Sequence, residues 1–256
     1  MKEGYETQMK CLMFDLERGS QTLGSPNDIQ EMFGYPVLTP TTFDQFKKII
    51  SDLYTVQKAV HKTKIGNIEI DQEVLETVPK NGTQIDALIL DTFSELSKKY
   101  QRSLVDKTGK MKMQDWGKLK NTLDMLLEFI TRIPGVLVMT VHGKLKDLDD
   151  GTTKVLPYID GSTKEDISKW FDFVFYTRTI EAPNGQTKYI WQTKHTEKYD
   201  HAKDRTNLLP SEIPQDFQLV LDAVKEKNFT SAKILIIGSP GSGKTWSLRT
   251  LVNKES

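Results

Sequence analysis

The sequence predicts an α/β fold, with a mainly parallel sheet flanked by helices and one added antiparallel hairpin. Short apolar runs alternate with longer amphipathic segments, a pattern typical of parallel strands joined by helices. The runs Asp86–Asp91 and Val136–Val141 are apolar without alternation, as expected for strands covered on both faces. The pair Asn184-Gly185 lies between two strand-like runs and indicates the hairpin.

The individual elements follow from the same patterns, read in chain order. Thr41 or Thr42 caps a predicted helix, and Pro134-Gly135 ends another. The predicted strands are Lys10–Asp15, Tyr35–Leu38, Asp86–Asp91, Val136–Val141, Phe171–Ile180, Thr187–Thr193 and Lys233–Ile237. The predicted helices are Phe43–Gln57, Gln114–Ile133, Phe217–Lys227 and Gly243–Val252, with a loop at Leu16–Asn27 and a weakly patterned excursion at Ala59–Thr83.

Composition restricts the classes of protein that this chain can represent. Its 256 residues include 35 Lys plus Arg and 35 Asp plus Glu, so no global basicity indicates a nucleic-acid partner. Cys11 is the only cysteine, which excludes an internal disulfide, and its apolar surroundings favour a buried side chain over a nucleophile. The start of the chain lacks a signal-peptide pattern, and no run approaches the ~20 apolar residues of a membrane span. We therefore expect a cytoplasmic protein.

The segment from Gly238 to Thr245 matches the phosphate-binding pattern G-x-x-x-x-G-K-[ST] in full. Its members are Gly238, Ser239, Pro240, Gly241, Ser242, Gly243, Lys244 and Thr245. A predicted strand precedes it and a predicted helix follows it, as this motif requires. Backbone N–H groups of such a loop bind phosphates, Lys244 reaches the β- and γ-phosphates, and Thr245 ligates Mg²⁺. The motif predicts ATP and Mg²⁺ as cofactors.

The position of this loop is unusual, because only eleven residues follow Thr245 (256 − 245). The other parts of a nucleotide site must then lie upstream or be absent. Ala87–Asp91 is an apolar strand that ends in an acid, the pattern of a second Mg²⁺ ligand at Asp91.

The chain resembles the RecA-like ATPases when its C-terminal segment is placed before its N-terminal segment. It looks most similar to the phage RecA-core family linked to single-strand annealing and recombination. The resemblance rests on GSPGSGKT together with FDLERG, ALILDTFSEL, VLVMTVHGK and AKDRTN, in permuted order. It implies one circularly permuted domain, in which 1–227 holds most of the core and 228–256 the phosphate loop. It also implies that the strand Val136–Val141 lies between the strand that leads to Asp91 and the strand that leads to the loop. The rival interpretation is a fragment whose loop belongs to a second, missing domain.

Several residues become candidates for hydrolysis through this resemblance. Glu17, at the end of the D-x-E sequence Asp15–Glu17, is the expected catalytic glutamate, and Glu95 is the alternative base. Thr140 and His142 end a buried strand where related ATPases place a sensor of the γ-phosphate. Relatives often use Gln or Asn there, so this sequence departs from the commoner pattern.

The resemblance also implies partners. Lys203 and Arg205 resemble the K-x-R element that RecA-like ATPases insert into a neighbour's site, so a homo-oligomer is expected. The stretch Lys98–Lys112 carries six cations against Asp106, a net charge of +5 (6 − 1), and is expected to form a loop that binds single-stranded DNA, with Tyr100 and Trp116 available for stacking. The loop 143–164 is a second, nearly balanced candidate.

Two other functions use the same phosphate loop. A small-molecule kinase is one, although the chain shows no Arg-rich lid that would cover an acceptor. A module that binds ATP as a switch without turnover is the other. An acceptor assay separates the first of these from an ATPase, and undetectable turnover with DNA present would favour the second.

Overall fold

The computed structural model describes residues 9–252. The strands are β1 Cys11–Asp15, β2 Tyr54–Ile65, β3 Ile68–Pro79, β4 Ala87–Asp91, β5 Gly135–Asp147, β6 Thr153–Pro157, β7 Phe173–Glu181, β8 Thr187–Gln192, β9 Lys203–Asp204, β10 Glu212–Pro214 and β11 Ser231–Gly238. The helices are α1 Pro26–Phe33, α2 Phe43–Leu53, α3 Phe93–Leu104, α4 Met113–Thr131, α5 Thr163–Asp166, α6 Phe217–Glu226 and α7 Lys244–Ser247. Short 3-10 turns cover Gly19–Thr22, Lys80–Gly82, Ile167–Trp170 and Leu248–Leu251.

A central sheet organises the described residues in the order β1-β4-β5-β11-β7-β8-β10. The five strands from β1 to β7 are parallel, and β8 and β10 continue the sheet antiparallel. The predicted α/β class is therefore confirmed, and so is the β7–β8 hairpin. The strand β5 pairs with both β4 and β11, as expected from the sequence.

Two hydrophobic clusters cover the two faces of this sheet. The helices α2, α3 and α4 pack on one face, and α1 and α6 pack on the other. The side chains of β11 alternate between the clusters, with Leu235 and Ile237 in the first and Ile234 and Ile236 in the second. All four are fully buried. Each contributes about 1.5–3 kcal/mol of burial free energy, so β11 is a core strand.

Helix ends differ from the prediction where local capping signals decide them. The loop predicted at Leu16–Asn27 ends two residues early, at Ser25, and α1 follows because Ser25 and Asp28 form a reciprocal capping box and Pro26 occupies the first turn. Thr42, not Thr41, caps α2 by accepting a bond from the Gln45 N–H. The helix ends at Leu53 rather than Gln57, since Tyr54 already has extended backbone.

The excursion predicted at Ala59–Thr83 is a long antiparallel hairpin. The strands β2 and β3 have twelve residues each and form their own two-stranded sheet, paired from Tyr54 with Pro79 to Ile65 with Ile68. Most of their side chains are exposed, which explains why no burial period marks them in the sequence.

The remaining differences lie near the carboxyl edge of the sheet. The strand β5 runs beyond Val141 to Asp147 and pairs with β6. The helix predicted over Gly243–Val252 consists of α7 and a 3-10 turn at Leu248–Leu251. A circular permutation also predicts that the two chain termini lie close together, but these residues are outside the described part. Within that part, no helix is long and apolar enough to cross a membrane.

Candidate functional site

The segment 238–245 forms a tight loop at the carboxyl end of β11, between that strand and α7. A Cβ on Gly238 would lie 1.6 Å from the Thr177 hydroxyl oxygen, so only glycine fits there. Gly243 has a φ of +87°, and a Cβ there would lie 2.6 Å from Oε1 of Gln215. Gln215 also donates a hydrogen bond to the Ser242 carbonyl at 2.9 Å. These contacts of Thr177 and Gln215 fix the position of the loop backbone.

Lys244 spans this loop with its side chain. Its Nζ donates to the carbonyl oxygens of Gly238 and Ser239, each at 2.9 Å, and the residue is 6% exposed. Burial lowers the pKa of Lys244, while the negative charges of Asp91 and Glu17 act in the opposite direction. A buried ammonium whose partners are only two neutral carbonyls is well placed to receive an anion.

Thr245 and Asp91 meet although 154 positions separate them in the chain. The Thr245 hydroxyl donates to Asp91 Oδ2 at 2.7 Å, and the Thr140 hydroxyl donates to Asp91 Oδ1. Burial raises the pKa of Asp91; these two hydrogen bonds lower it, and the nearby charges of Asp15 and Glu17 raise it. A carboxylate and a hydroxyl at this spacing fit a hard divalent cation, whose charge would offset the cost of burying the carboxylate.

Glu17 opens onto the same pocket from the end of β1. Its Oε1 accepts a hydrogen bond from the Thr92 hydroxyl at 2.7 Å and contacts Nε2 of His142. Burial raises the pKa of Glu17, but the bonds from His142 and Thr92 and the positive charge of Lys244 outweigh burial and leave this pKa below its usual value. Glu17 therefore stays ionised and hydrogen-bonded near neutral pH.

Asp15 shapes the loop that carries Glu17. Its carboxylate accepts bonds from the N–H groups of Glu17, Gly19 and Ser20 at 3.0, 3.1 and 2.9 Å. The side chain is 2% exposed. The D-x-E pattern predicts a role for its glutamate. The structure shows that its aspartate fixes the backbone that orients this glutamate.

A pocket of about 460 Å³ connects these groups. Pro240, Gly241, Gly243, Lys244, Thr245, Asp91, Glu17 and His142 line it, together with Tyr189 and Trp246. Gly238, Ser239 and Ser242 form hydrogen bonds that hold the loop in its conformation, and the Thr140 hydroxyl donates a hydrogen bond to Asp91. Sequence reasoning missed Tyr189 and Trp246, although Trp246 directly follows the motif. Glu95 instead forms ion pairs with Lys98 and Arg102, at 3.6 and 3.2 Å.

Lys203 and Arg205 lie away from this pocket. Lys203 Nζ donates to the Ser168 carbonyl at 2.6 Å, and Arg205 pairs with Asp172 at 2.6 Å. Asp172 bonds to Lys233, five residues before Gly238, which is ~17 Å along the strand. Both cations therefore lie toward the amino end of β11 within their own chain.

The stretch 98–112 is not one loop. Lys98, Lys99 and Arg102 belong to α3, because Thr92 caps that helix and it continues to Leu104. Since Lys98 and Arg102 pair with Glu95, the local positive charge is smaller than the sequence count implies. Lys98 Nζ lies 4.9 Å from the centre of the Tyr158 ring, and Lys144 Nζ lies 5.4 Å from it.

A glycine-rich loop between a central parallel strand and a helix, with an acid and a threonine meeting beside it, defines a P-loop nucleotide-binding protein. Comparison with protein families gives a match to the AAA domain over residues 5–206. The match covers most of the 256 residues, and the chain belongs to this family, whose members are typically nucleotide-binding ATPases. Neither the curated proteins nor the solved structures gave a match.

Proposed function

We propose that this protein is a Mg²⁺-dependent ATPase of RecA-like type. The observation that carries this proposal is the 2.7 Å contact between Thr245 and Asp91 beside the phosphate loop, with Glu17 opening onto the same pocket. These groups come from β11, β4 and β1, which lie in one parallel sheet. A cation ligand, a phosphate-binding lysine and a carboxylate thus converge, as phosphoryl transfer to water requires.

Each residue has a distinct role in this proposal. The loop N–H groups and Lys244 hold the β- and γ-phosphates and stabilise the charge that develops on them. Thr245 and Asp91 would hold Mg²⁺, which would neutralise charge on the phosphates. Glu17 orients the attacking water and accepts its proton. His142 positions Glu17 and Thr140 positions Asp91. A response to the γ-phosphate would change these two contacts.

We further propose that the chain is one circularly permuted domain, with 228–256 supplying the loop to the core formed by 1–227. Two observations support this. The strand β11 is central in the sheet, between β5 and β7, yet it is the last described strand of the chain. The family match ends at residue 206, before Gly238. If β11 is placed before β1, the strands follow in the order β11, β1, β4, β5, β7, which is the chain order of a P-loop core that is not permuted.

Single-stranded DNA in phage recombination or annealing is the proposed biological setting. Tyr158 is 39% exposed and has Lys98 and Lys144 over its ring, a pairing of aromatic and cationic groups that suits stacked bases and phosphates. We expect Tyr158→Ala to weaken single-stranded DNA binding, with Leu219→Ala, at a position 38% exposed on α6, as the control. A homo-oligomer that uses Lys203 and Arg205 in a neighbour's site would require both to leave Ser168 and Asp172.

The proposed activity is tested by phosphate release from ATP and Mg²⁺, with and without single-stranded DNA. We expect Lys244→Ala to abolish turnover, because no other described lysine reaches the loop carbonyls, while the exposed control Lys227→Ala keeps wild-type turnover. Normal turnover in Lys244→Ala would refute the assignment. ATP that binds without turnover would indicate a switch module, and phosphate transfer to an added acceptor would indicate a kinase.

A further inference from the structure

Two large aromatic side chains line the nucleotide pocket without a role in binding phosphate or a cation. Tyr189 lies on β8 and Trp246 on α7, and both face the cavity of about 460 Å³ beside the phosphate loop. Tyr189 is 45% exposed and Trp246 54%. One exposed aromatic side chain is common on a protein surface, but two that line the same cavity indicate a ligand with a flat, apolar group.

Tyr189 lies directly against the phosphate loop. A Cβ on Gly243 would lie 3.0 Å from Cδ1 of Tyr189, so the aromatic ring contacts the loop at its last glycine. Lys244 and Thr245, the residues assigned to phosphate and to the cation, come directly after that glycine. A molecule whose phosphates occupy the loop therefore has its remaining part within reach of the Tyr189 ring.

Trp246 is oriented by a neighbouring arginine. The guanidinium carbon of Arg249 lies 4.0 Å from the centre of the Trp246 ring, close enough for a cation–π contact. The two residues are three positions apart, and residues at this spacing are neighbours on a helix surface. Because Arg249 covers one face of the indole, the exposed part of Trp246 is its other face and its edge. That face can stack on a planar group.

The other polar side chains of the pocket offer little to recognise the edge of a base. Beyond the aromatic pair and the groups assigned to phosphate, cation and water, the polar side chains that line the pocket are those of Thr22 and Thr92. The Thr22 hydroxyl donates to the Gly19 carbonyl at 2.8 Å, and the Thr92 hydroxyl donates to Glu17 at 2.7 Å. Among the described residues of this pocket there is no asparagine or glutamine amide.

We propose that Tyr189 and Trp246 bind the nucleobase of the nucleotide by stacking on its flat faces. This inference rests on the proposed nucleotide site, to which it adds the position of the base and the selectivity of the site. Stacking uses the π face that every base has, whereas selection among bases needs hydrogen bonds to the base edge. The site therefore accepts adenine and guanine nucleotides with similar affinity.

Matched ligands with and without a base test the stacking site. ADP and inorganic pyrophosphate, each titrated calorimetrically in the presence of Mg²⁺, both occupy the phosphate loop, but only ADP carries a base. We expect Tyr189→Ala and Trp246→Ala each to weaken ADP binding about tenfold or more and to leave pyrophosphate binding unchanged. Lys188→Ala is the control and keeps both affinities, because Lys188 is exposed on β8 and points to the face opposite Tyr189. Equal weakening of both ligands, or unchanged ADP binding, would overturn the proposal.

Failure of the nucleotide site and failure of the stacking site give different results. If wild type binds neither ADP nor pyrophosphate, the nucleotide site is refuted and the stacking site with it. If ADP binds equally well to wild type and to both aromatic variants, only the stacking site is refuted. A preference of a hundredfold or more for ADP over GDP, or the reverse, would also refute it, because such selection requires groups that recognise the base edge.

Tryptophan fluorescence gives an independent test. We expect ADP to quench part of the fluorescence of wild type and pyrophosphate to leave it unchanged, because only a stacked base contacts the indole of Trp246. Trp246→Phe should lose this quenching but keep an ADP affinity close to that of wild type, since phenylalanine also stacks. Quenching that persists in Trp246→Phe, or equal quenching by pyrophosphate, would overturn the proposal.

Discussion

Glu17 is held by donors from two neighbouring strands. Thr92 follows β4 and His142 lies on β5, and both contact the same carboxylate oxygen, Oε1. Nδ1 of His142 is buried without a hydrogen-bond partner among the described residues. Only the second oxygen of Glu17 is left free of these contacts, so the glutamate is oriented before any water reaches it. Orientation of this kind favours a general base over a surface acid.

Replacement of this glutamate separates the two candidate bases. We expect Glu17→Gln to bind ATP with near-normal affinity but to lower the hydrolysis rate by ~10²–10⁴-fold, because the amide orients water without accepting its proton. Single-turnover hydrolysis and nucleotide binding measured in parallel check this expectation. Glu95→Gln is the matched control, since Glu95 pairs with Lys98 and Arg102. A rate loss confined to Glu95→Gln would transfer the role to that residue.

Lys233 is a buried cation at the amino end of β11. Its Nζ donates to the carbonyls of Ile133 and of Gly135, the latter at 3.1 Å. Burial lowers its pKa from 10.5 to about 8, against the attraction of Asp172. The folded protein therefore releases this proton more readily than the unfolded chain does, and the charged form is the one that costs stability.

This shift makes a signed prediction about stability and pH. Below pH 8 both states carry the proton, and between about 8 and 10.5 mainly the unfolded chain carries it, so folding becomes more favourable as pH rises. We expect wild type to gain up to about 3 kcal/mol relative to Lys233→Met across this window. Denaturant titrations of both proteins at pH values on each side of the window give the difference. A flat difference would show that Lys233 titrates alike in both states.

At the scale of elements, the sequence predicted what burial and local signals determine. The strands β4, β5 and β11 are apolar runs because both of their faces are covered, and the sequence predicted all three. The helix α1 was missed despite its Ser25 capping box, since its eight residues hold only Ile29 and Phe33 as buried positions. The β2–β3 hairpin was missed because exposed strands need no alternation of apolar and polar residues.

The supporting contacts of the site were not predictable from the sequence. Thr177 leaves room only for glycine at position 238. Gln215 donates to the Ser242 carbonyl of the loop, and the Thr92 hydroxyl donates to Glu17. Each of these pairs is more than 20 positions apart and depends on which strands become neighbours. The phosphate loop itself is recognisable because its geometry is encoded by adjacent residues, whereas its supports are encoded by the order of strands in the sheet.

For the whole molecule, the central position of β11 couples nucleotide binding to global stability. Its neighbours β5 and β7 belong to the same sheet as β1 and β4, so the loop cannot separate without opening the core. We expect one cooperative thermal transition that rises by ~5–10 °C with ATP and Mg²⁺ at a hundredfold excess over Kd. Differential scanning calorimetry checks it, with Lys244→Ala as the control that should not shift. Two separable transitions would favour a two-domain fragment.

The order of strands in the chain also bears on how the molecule is made. A ribosome delivers β5 and β7 before β11, the strand that must lie between them. From the end of β7 at residue 181 to the start of β11 at residue 231 there are 50 positions (231 − 181), which take ~2.5–10 s to translate. During that interval, the edges of β5 and β7 that later pair with β11 have no partner strand. Pairing of β11 with β5 and β7 and formation of the phosphate loop are then a single event, so nucleotide can stabilise the newborn chain only after residues 238–245 have been made.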